Sequence, residues 1–459
     1  MIEAAELTAV AVAASKADGC IVLLTDTSEV NLRWANNTMT TNGHTTIRSC
    51  AVVSVVADSV GVVSGDGADL DEVRAVVAAS EESARQSGPA RDAAPLVEGA
   101  ADDDFDAPAA ATEIGVFARL ADELAAAFGA AARGGELLYG FAEHRLETTW
   151  LASSTGLRRR WVQPTGTVEI NGKITDDLCR SAWAGAYTAD FTDLDLTALV
   201  AEARRRLSWS QRQVQLPAGR YETILPPSAV ADLMAELVWS MEGRSAHEGH
   251  SPWSAPAGSS SPTRLGERLT DLPITLSSDP AAPGLPTAPF LATTSSGDSV
   301  SVFDNGHPAP RVDWLRAGTV NALAYPRAAA AQLGGVFTPP PENLLLTGGS
   351  SASTGDLVAR TERGLLLTCL WYIREVDPAS LLLTGLTRDG VYLVEDGQVV
   401  GQVNNFRFNE SPIDLLRRAG EVGATESTLG REGKDWFART SMPPIRIPDF
   451  NMSSVSRAS

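Results

Sequence analysis

Histidine is scarce in this chain of 459 residues: His44, His144, His247, His250 and His307 are all there are, so any imidazole chemistry must pass through that short list. Cysteine is scarcer still. Cys20, Cys50, Cys179 and Cys369 stand far apart in no metal-type spacing, which excludes a cysteine-held structural zinc and a disulfide frame and reads as reduced thiols. Positive charge is short too, with 37 Lys and Arg against 57 Asp and Glu, a net charge of -20 and a pI near 4.7. Neutralising phosphates needs clustered positive charge, so a nucleic-acid partner is excluded. No apolar run reaches the roughly 18 residues of a membrane span, and the start, MIEAAELTAV, lacks the basic stretch of a signal peptide. A cytoplasmic protein with no membrane partner is expected. No serine sits in a G-x-S-x-G elbow and no glycine-rich phosphate loop lies between a strand and a helix, Gly348-Gly349-Ser350 being too short to count. Nucleotide chemistry is disfavoured accordingly.

What is present suits a folded protein. Hydrophobic residues at 44% and charged residues at 20% allow a buried core, and at roughly 100 to 200 residues per domain two or three domains are expected. Residues 5–16 read as an Ala-rich helix, followed by alternating apolar and polar residues punctuated by Asn36-Asn37, Asn42-Gly43 and Gly65-Asp66, a strand and hairpin pattern. From Asp69 onward, Leu70, Val73, Val76 and Val77 recur at helical spacing. Residues 87–111, rich in Ala, Pro and Asp, read as an exposed, partly disordered acidic loop that needs no function. Helical spacing returns over 116–132 and again from 195 to 207, with strands dominating between 136 and 188. Helices and strand pairs alternating in this way indicate an α+β domain with an antiparallel sheet.

In the second half, Ser228 is the expected N-cap of a helix whose stripe of Val230, Leu233, Met234, Leu237, Val238 and Met241 stops at Gly243. Residues 271–410 read as short strands with Asp-Gly and Asn-Gly turns, broken by one Ala-rich helix at 326–333; a helix at 411–420 precedes an extended tail.

The sharpest chemical cluster follows the first of these helices. Glu242, His247, Glu248 and His250 offer two imidazoles and carboxylates, standard zinc ligands with a nearby general base. Against that reading, His247 and His250 enclose a glycine in a loop, whereas the HExxH pattern needs a helix face; a solvated or subunit-contacting loop is the competing reading. His307 follows the Asp304-Asn305-Gly306 turn, where histidine is mostly a surface group. His144 lies on an alternating segment facing water or a cleft, and His44 follows the Asn-Gly turn. The apolar run from 361 to 400 places Arg363, Arg374, Asp377, Arg388 and Asp389 between strands. These are polar turns of core strands, or else a cleft whose free strand edge and arginines hold an extended peptide.

The succession GRYETILPPSAVADL, FDNGHPAPRVDWLRAGTVNALAYPRAAAAQLG, TERGLLLTCLWYIREVDP and TGLTRDGVYLVEDGQVVGQVNNFRFNESPIDLLRRAGEVG resembles the TldD/PmbA (TldE) family of bacterial proteins. The first half, with LRWANNTMTT among its strands and the Asp69–Glu72 helix start, is similar as well. The resemblance implies a two-domain α+β fold: an N-terminal α/β domain over 1–215 and a mainly antiparallel β domain with a few helices over 216–459. It also implies work in pairs. In this family a TldD-type subunit carries zinc on an HExxxH helix with a distant cysteine, while a TldE/PmbA-type subunit lacks that set and helps enclose a cleft for unfolded peptides. Placing the family helix on 228–243 puts Trp239, Ser240 and Arg244 at the His, Glu and His positions, and LGREGKD puts Glu432 where the cysteine would be. Those residues make the chain TldE-like, with no cofactor of its own and zinc expected in a TldD-like partner. Two other functions stay open: a self-sufficient metal-dependent peptidase or amidohydrolase using His247, Glu248 and His250 with Glu432 or Glu242, and a non-catalytic homodimeric peptide binder.

Overall fold

The computed structural model describes residues 2–67 and 69–456; the outermost residues of the two expected domains, 1 and 457–459, lie outside them. The N-terminal part runs α1 (Ala4–Ala14), β1 (Gly19–Ala35), β2 (Thr38–Val56), β3 (Ser59–Gly65), α2 (Leu70–Gln86), α3 (Ala118–Arg133), β4 (Glu136–Ser153), β5 (Arg158–Ile174), β6 (Asp177–Thr188) and α4 (Leu196–Trp209). Its strands form one antiparallel sheet in the order β3-β2-β1-β4-β5-β6.

The period-two pattern of β1 decides the layering. Val22 and Leu24 pack with α1 and α2, and farther along the same face Val30, Leu32 and Trp34 pack with α3 and α4. Ile21 and Leu23 point the other way, into a cluster with Leu96, Phe290 and Phe303. Asn36 and Asn37, at φ 52° and 59°, make the two-residue turn into β2, since asparagine tolerates the left-handed region that such hairpins need. That turn fixes the register, so Asn42-Gly43 falls inside β2 opposite Leu32 and Asn31 rather than forming a second turn, and His44 lies on a strand opposite Val30.

The acidic segment is the largely exposed loop expected, but it is tied to the fold rather than loose. Phe105 is buried and its carbonyl accepts the Trp150 indole N–H at 3.0 Å, while Asp102 and Asp104 pair with Arg159 and Arg160 at 2.8 Å. A run of aspartates that looks solvated in sequence meets its arginines across the fold.

The C-terminal part begins with β7 (Gln213–Val214), β8 (Gly219–Leu225), α5 (Pro227–Trp239), α6 (Gly243–His247), β9 (Thr275–Ser278), β10 (Val312–Arg316), β11 (Thr319–Val320), α7 (Arg327–Leu333), β12 (Leu344–Thr347) and α8 (Thr354–Ala359). It continues with β13 (Arg363–Leu367), β14 (Leu370–Asp377), β15 (Leu382–Thr387), β16 (Val391–Glu395), β17 (Gln398–Val403), β18 (Phe406–Glu410), α9 (Pro412–Arg418), β19 (Glu421–Val422), β20 (Glu426–Thr428), β21 (Thr440–Met442) and β22 (Ile445–Val455). A large sheet runs β14-β15-β18-β22-β8-β13-β16-β17-β7 with β19 beside β22, and a smaller one runs β11-β10-β9-β12-β21-β20. The extended tail is thus an interior strand, and β14 is an edge. Helix α5 packs against strands of both sheets, so all but Glu236 and Trp239 of its residues are buried.

The helix expected over 228–243 is in fact two. Pro226 takes the N-cap position and Pro227 the first helical position, where its missing N–H costs nothing, so Ser228 is not the cap. The chain leaves the helix after Trp239, and Gly243 opens α6 instead of closing α5; a Cβ there would stand 2.1 Å from the ring of Tyr325, so the glycine serves a close approach and not a helix stop. Among the described residues no helix is long and apolar enough to cross a membrane.

Candidate functional site

Asp232 holds the site together from inside α5. It is buried, and its carboxylate accepts the backbone N–H groups of Arg431, Glu432 and Gly433 at 3.0 to 3.1 Å, pinning the loop before β21 to the helix. A side chain at Gly430 would bring its Cβ within 2.6 Å of that carboxylate. Burial pushes the Asp232 carboxyl up to about 7 against the pull of the three amides.

One helical turn on, Glu236 emerges half-buried. Its carboxyl is also raised to about 7, first by burial and then by the like charges of Glu375 and Glu432, with Arg374 opposing. Arg374 in turn pairs with Glu432 at 3.4 Å. The next position facing out is Trp239, 42% exposed, edge-on to Phe437. The Arg374 and Glu375 that act on Glu236 belong to β14, whose outer edge is unpaired among the described residues and which is bulged twice, with Tyr372 in the left-handed region at φ 51°. Tyr372 and Trp436 are exposed, and Arg431 stacks on Trp371 at 3.7 Å. The result is a surface with a carboxyl that titrates near neutrality, an ion pair, an unpaired strand edge and protruding aromatic rings. Such a surface can take an extended peptide backbone and exchange a proton with it.

The sequence-predicted residues are distributed otherwise. Trp239, Ser240 and Arg244 do not converge: the Ser240 hydroxyl accepts the Trp253 indole N–H at 2.9 Å, while Arg244, on α6, donates to Gln332 at 2.7 Å. An indole, a hydroxyl and a guanidinium are not zinc ligands, so the residues that the resemblance puts at the family's metal positions do not fit the metal. His247 lies against the ring of Tyr325, Glu248 faces Arg244 at 3.6 Å and Arg91 at 3.9 Å, and His250 is exposed, 4.0 Å from Glu248. Glu242 accepts the hydroxyl of Ser245, while Glu432 sits with Arg374. Among the described residues no group of three or more His, Cys, Asp or Glu is placed to hold a metal ion.

Of the arginines, Arg374 and Arg388 both lie near Trp371 and the loop on it, whereas Arg363 pairs with Glu395 on β16. His144 is buried rather than facing water: the Thr112 hydroxyl donates to Nδ1 at 2.6 Å and Nε2 donates to the Ala189 carbonyl at 3.0 Å, a neutral ring with both nitrogens satisfied. His307 stacks on Phe337. Asp232, Glu236 and Glu375 escaped the sequence reading; the signal available was a pair of acids four residues apart on an apolar helix, one of them on its buried face.

Comparison with known proteins adds the kinship. A model of the PmbA/TldA metallopeptidase C-terminal domain matches residues 218–454, and one of the PmbA/TldA metallopeptidase central domain matches residues 103–211. Among solved structures, TldE from Thermococcus kodakarensis is similar at a TM-score of 0.77 and 16% identity, covering 97% of this chain and 98% of that one. A proposed modulator of a DNA gyrase from Thermotoga maritima gives 0.74 and 16% over 94% and 95%, and one from Bacteroides thetaiotaomicron gives 0.75 and 14% over 98% of each chain. At these identities the likeness to the solved structures is one of fold. No curated protein matches the chain.

Proposed function

This chain belongs to the PmbA/TldD metallopeptidase family, and we propose that within it the chain is a TldE-like subunit, one wall of a peptide-binding cleft whose zinc a TldD-like partner brings. The observation that carries this reading is the chemistry at the family's metal positions. Trp239, Ser240 and Arg244 offer no zinc ligand, and Glu432 is engaged by Arg374. The β14 edge, unpaired among the described residues and carrying the exposed Tyr372, supports the peptide-facing part of the role, because a strand edge binds backbone without demanding a sequence. With a net charge of -20, basic peptides are the favoured substrates, a preference that salt screens beyond about 8 Å.

The test is zinc content and peptidase activity of the chain alone and after mixing with a TldD-like subunit. The reading expects little zinc in the chain alone and hydrolysis of unfolded peptides only in the mixture. Close to one zinc per protomer, with activity lost in His247→Ala, would replace it with the self-sufficient hydrolase. A stable homodimer that binds peptides with no turnover in either preparation would replace it with the binding protein.

A further inference from the structure

Where the β5–β6 hairpin meets β17 and the turn after β15, at the junction of the two halves of the chain, lies a cavity of about 430 Å³. Its polar groups are incompletely satisfied. Gln402, on β17, is 9% exposed, and its buried Oε1 has no hydrogen-bond partner among the described residues. Asn404 spends its side-chain oxygen on the backbone N–H of Leu216 at 2.7 Å, and its buried Nδ2 is likewise without a partner among the described residues. A buried acceptor and a buried donor left open on one wall are costly, and such groups call for something that completes them.

Charge in the cavity is distributed against the trend of the molecule. Lys173, on β5, brings an ammonium with no ion-pair partner among the described residues. Arg388 enters from the turn after β15 and faces Asp389 at 3.8 Å, while Asp389 is already held by the hydroxyl of Ser181 on β6. Two cations therefore stand beside one engaged carboxylate in a chain of net charge -20. Leu178 and Val403 supply an apolar flank.

A ligand that fits these groups needs an anion for the cations, an N–H for Gln402, a carbonyl for Asn404 and a modest apolar group. Inorganic phosphate offers no comparable donor and apolar group, and a free amino acid is smaller than the space, which lies in the usual range of roughly 300 to 1,000 Å³ for small-ligand sites. We propose that this cavity binds the carboxy-terminal end of a peptide: carboxylate at Lys173 and Arg388, adjoining backbone amide at Gln402 and Asn404, last side chain against Leu178 and Val403. The assignment does not depend on the subunit role above, because Lys173, Gln402 and Asn404 play no part in it and only Arg388 lies near both surfaces.

Calorimetric titration of the full chain with N-acetyl-alanyl-alanine, its carboxy-terminal amide, alanine and inorganic phosphate tests it. The free acid is expected to bind at least tenfold tighter than the other three. Gln402→Leu and Lys173→Gln are each expected to weaken the acid at least tenfold while the unfolding temperature holds; if Gln402→Leu fails to fold, the more exposed Lys173→Gln decides. Equal binding of acid and amide, phosphate or alanine binding as tightly as the acid, an unchanged affinity in Lys173→Gln, or no binding of the acid up to about 10 mM would each overturn the proposal.

Discussion

Burial and two neighbouring carboxylates, Glu375 and Glu432, hold the proton of Glu236 up to about pH 7, with Arg374 pulling the other way. An unfolded carboxylate titrates near about 4.3, so between those values the folded chain binds more protons than the unfolded one. Stability from this group is then fully present below the lower value and lost as pH rises through the upper. Asp232 adds to the loss in the same window, since burial raises it to about 7 as well. His144 runs in the opposite direction: burial lowers its affinity for a proton, so acidification below the ordinary histidine range favours the unfolded chain. Glu236→Gln removes the charge at nearly constant shape. Thermal unfolding of the variant is expected to match the wild type at about pH 4 and to rise by about 1 to 3 °C at pH 8. An equal shift at both values would show that packing, and not ionisation, governs this position.

Among the elements, β14 carries the peptide-facing proposal. Its outer edge is unpaired among the described residues, it carries the exposed Tyr372, and the loop that Arg431 and Glu432 hold against it carries the exposed Trp436. Trp436→Ala is expected to leave the unfolding temperature within a degree or so and to weaken an unfolded basic peptide about tenfold by fluorescence anisotropy, in the range of one lost aromatic contact. Unchanged affinity would move the peptide away from this edge. The element boundaries also show what a sequence can carry. The period of β1, the helix starts at Asp69 and Asp195 and the apolar stripe of α5 are local signals, and the structure follows them. The reason for glycine at 243 is not local: Tyr325, far away in sequence, leaves no room for a side chain there, so a glycine that reads as a helix stop serves a tertiary contact. The partners of Asp102 and Asp104 lie on β5, and Asp232 meets amides 200 residues on, so neither the ordered acidic segment nor the site's anchor could be read from spacing. The assignment of Trp239, Ser240, Arg244 and Glu432 to the family's ligand positions rests on residue identity and on the resemblance, not on contacts in the fold.

At the scale of the whole molecule, the same loop that presents Glu432 and Trp436 also joins the two halves of the chain. Arg431 lies between Trp371 of β14, at 3.7 Å, and Trp183 of β6, at 5.4 Å, with Glu169 of β5 at 3.8 Å. Lys434 reaches the same Glu169 at 3.1 Å. The Arg431 Nε has no hydrogen-bond partner among the described residues, so stacking of its plane on the indoles is the dominant contact. A planar guanidinium can stack in this way and an ammonium cannot. Arg431→Ala is therefore expected to lower the unfolding temperature by about 2 to 4 °C. It is also expected to weaken peptide binding several-fold, because a loop loosened at the junction no longer presents its edge of the site. Arg431→Lys, which keeps the charge and loses the plane, should fall nearly as far on both readouts. If lysine instead restores both, the junction is held by charge against Glu169, and high salt should then reproduce the alanine variant in the wild-type chain.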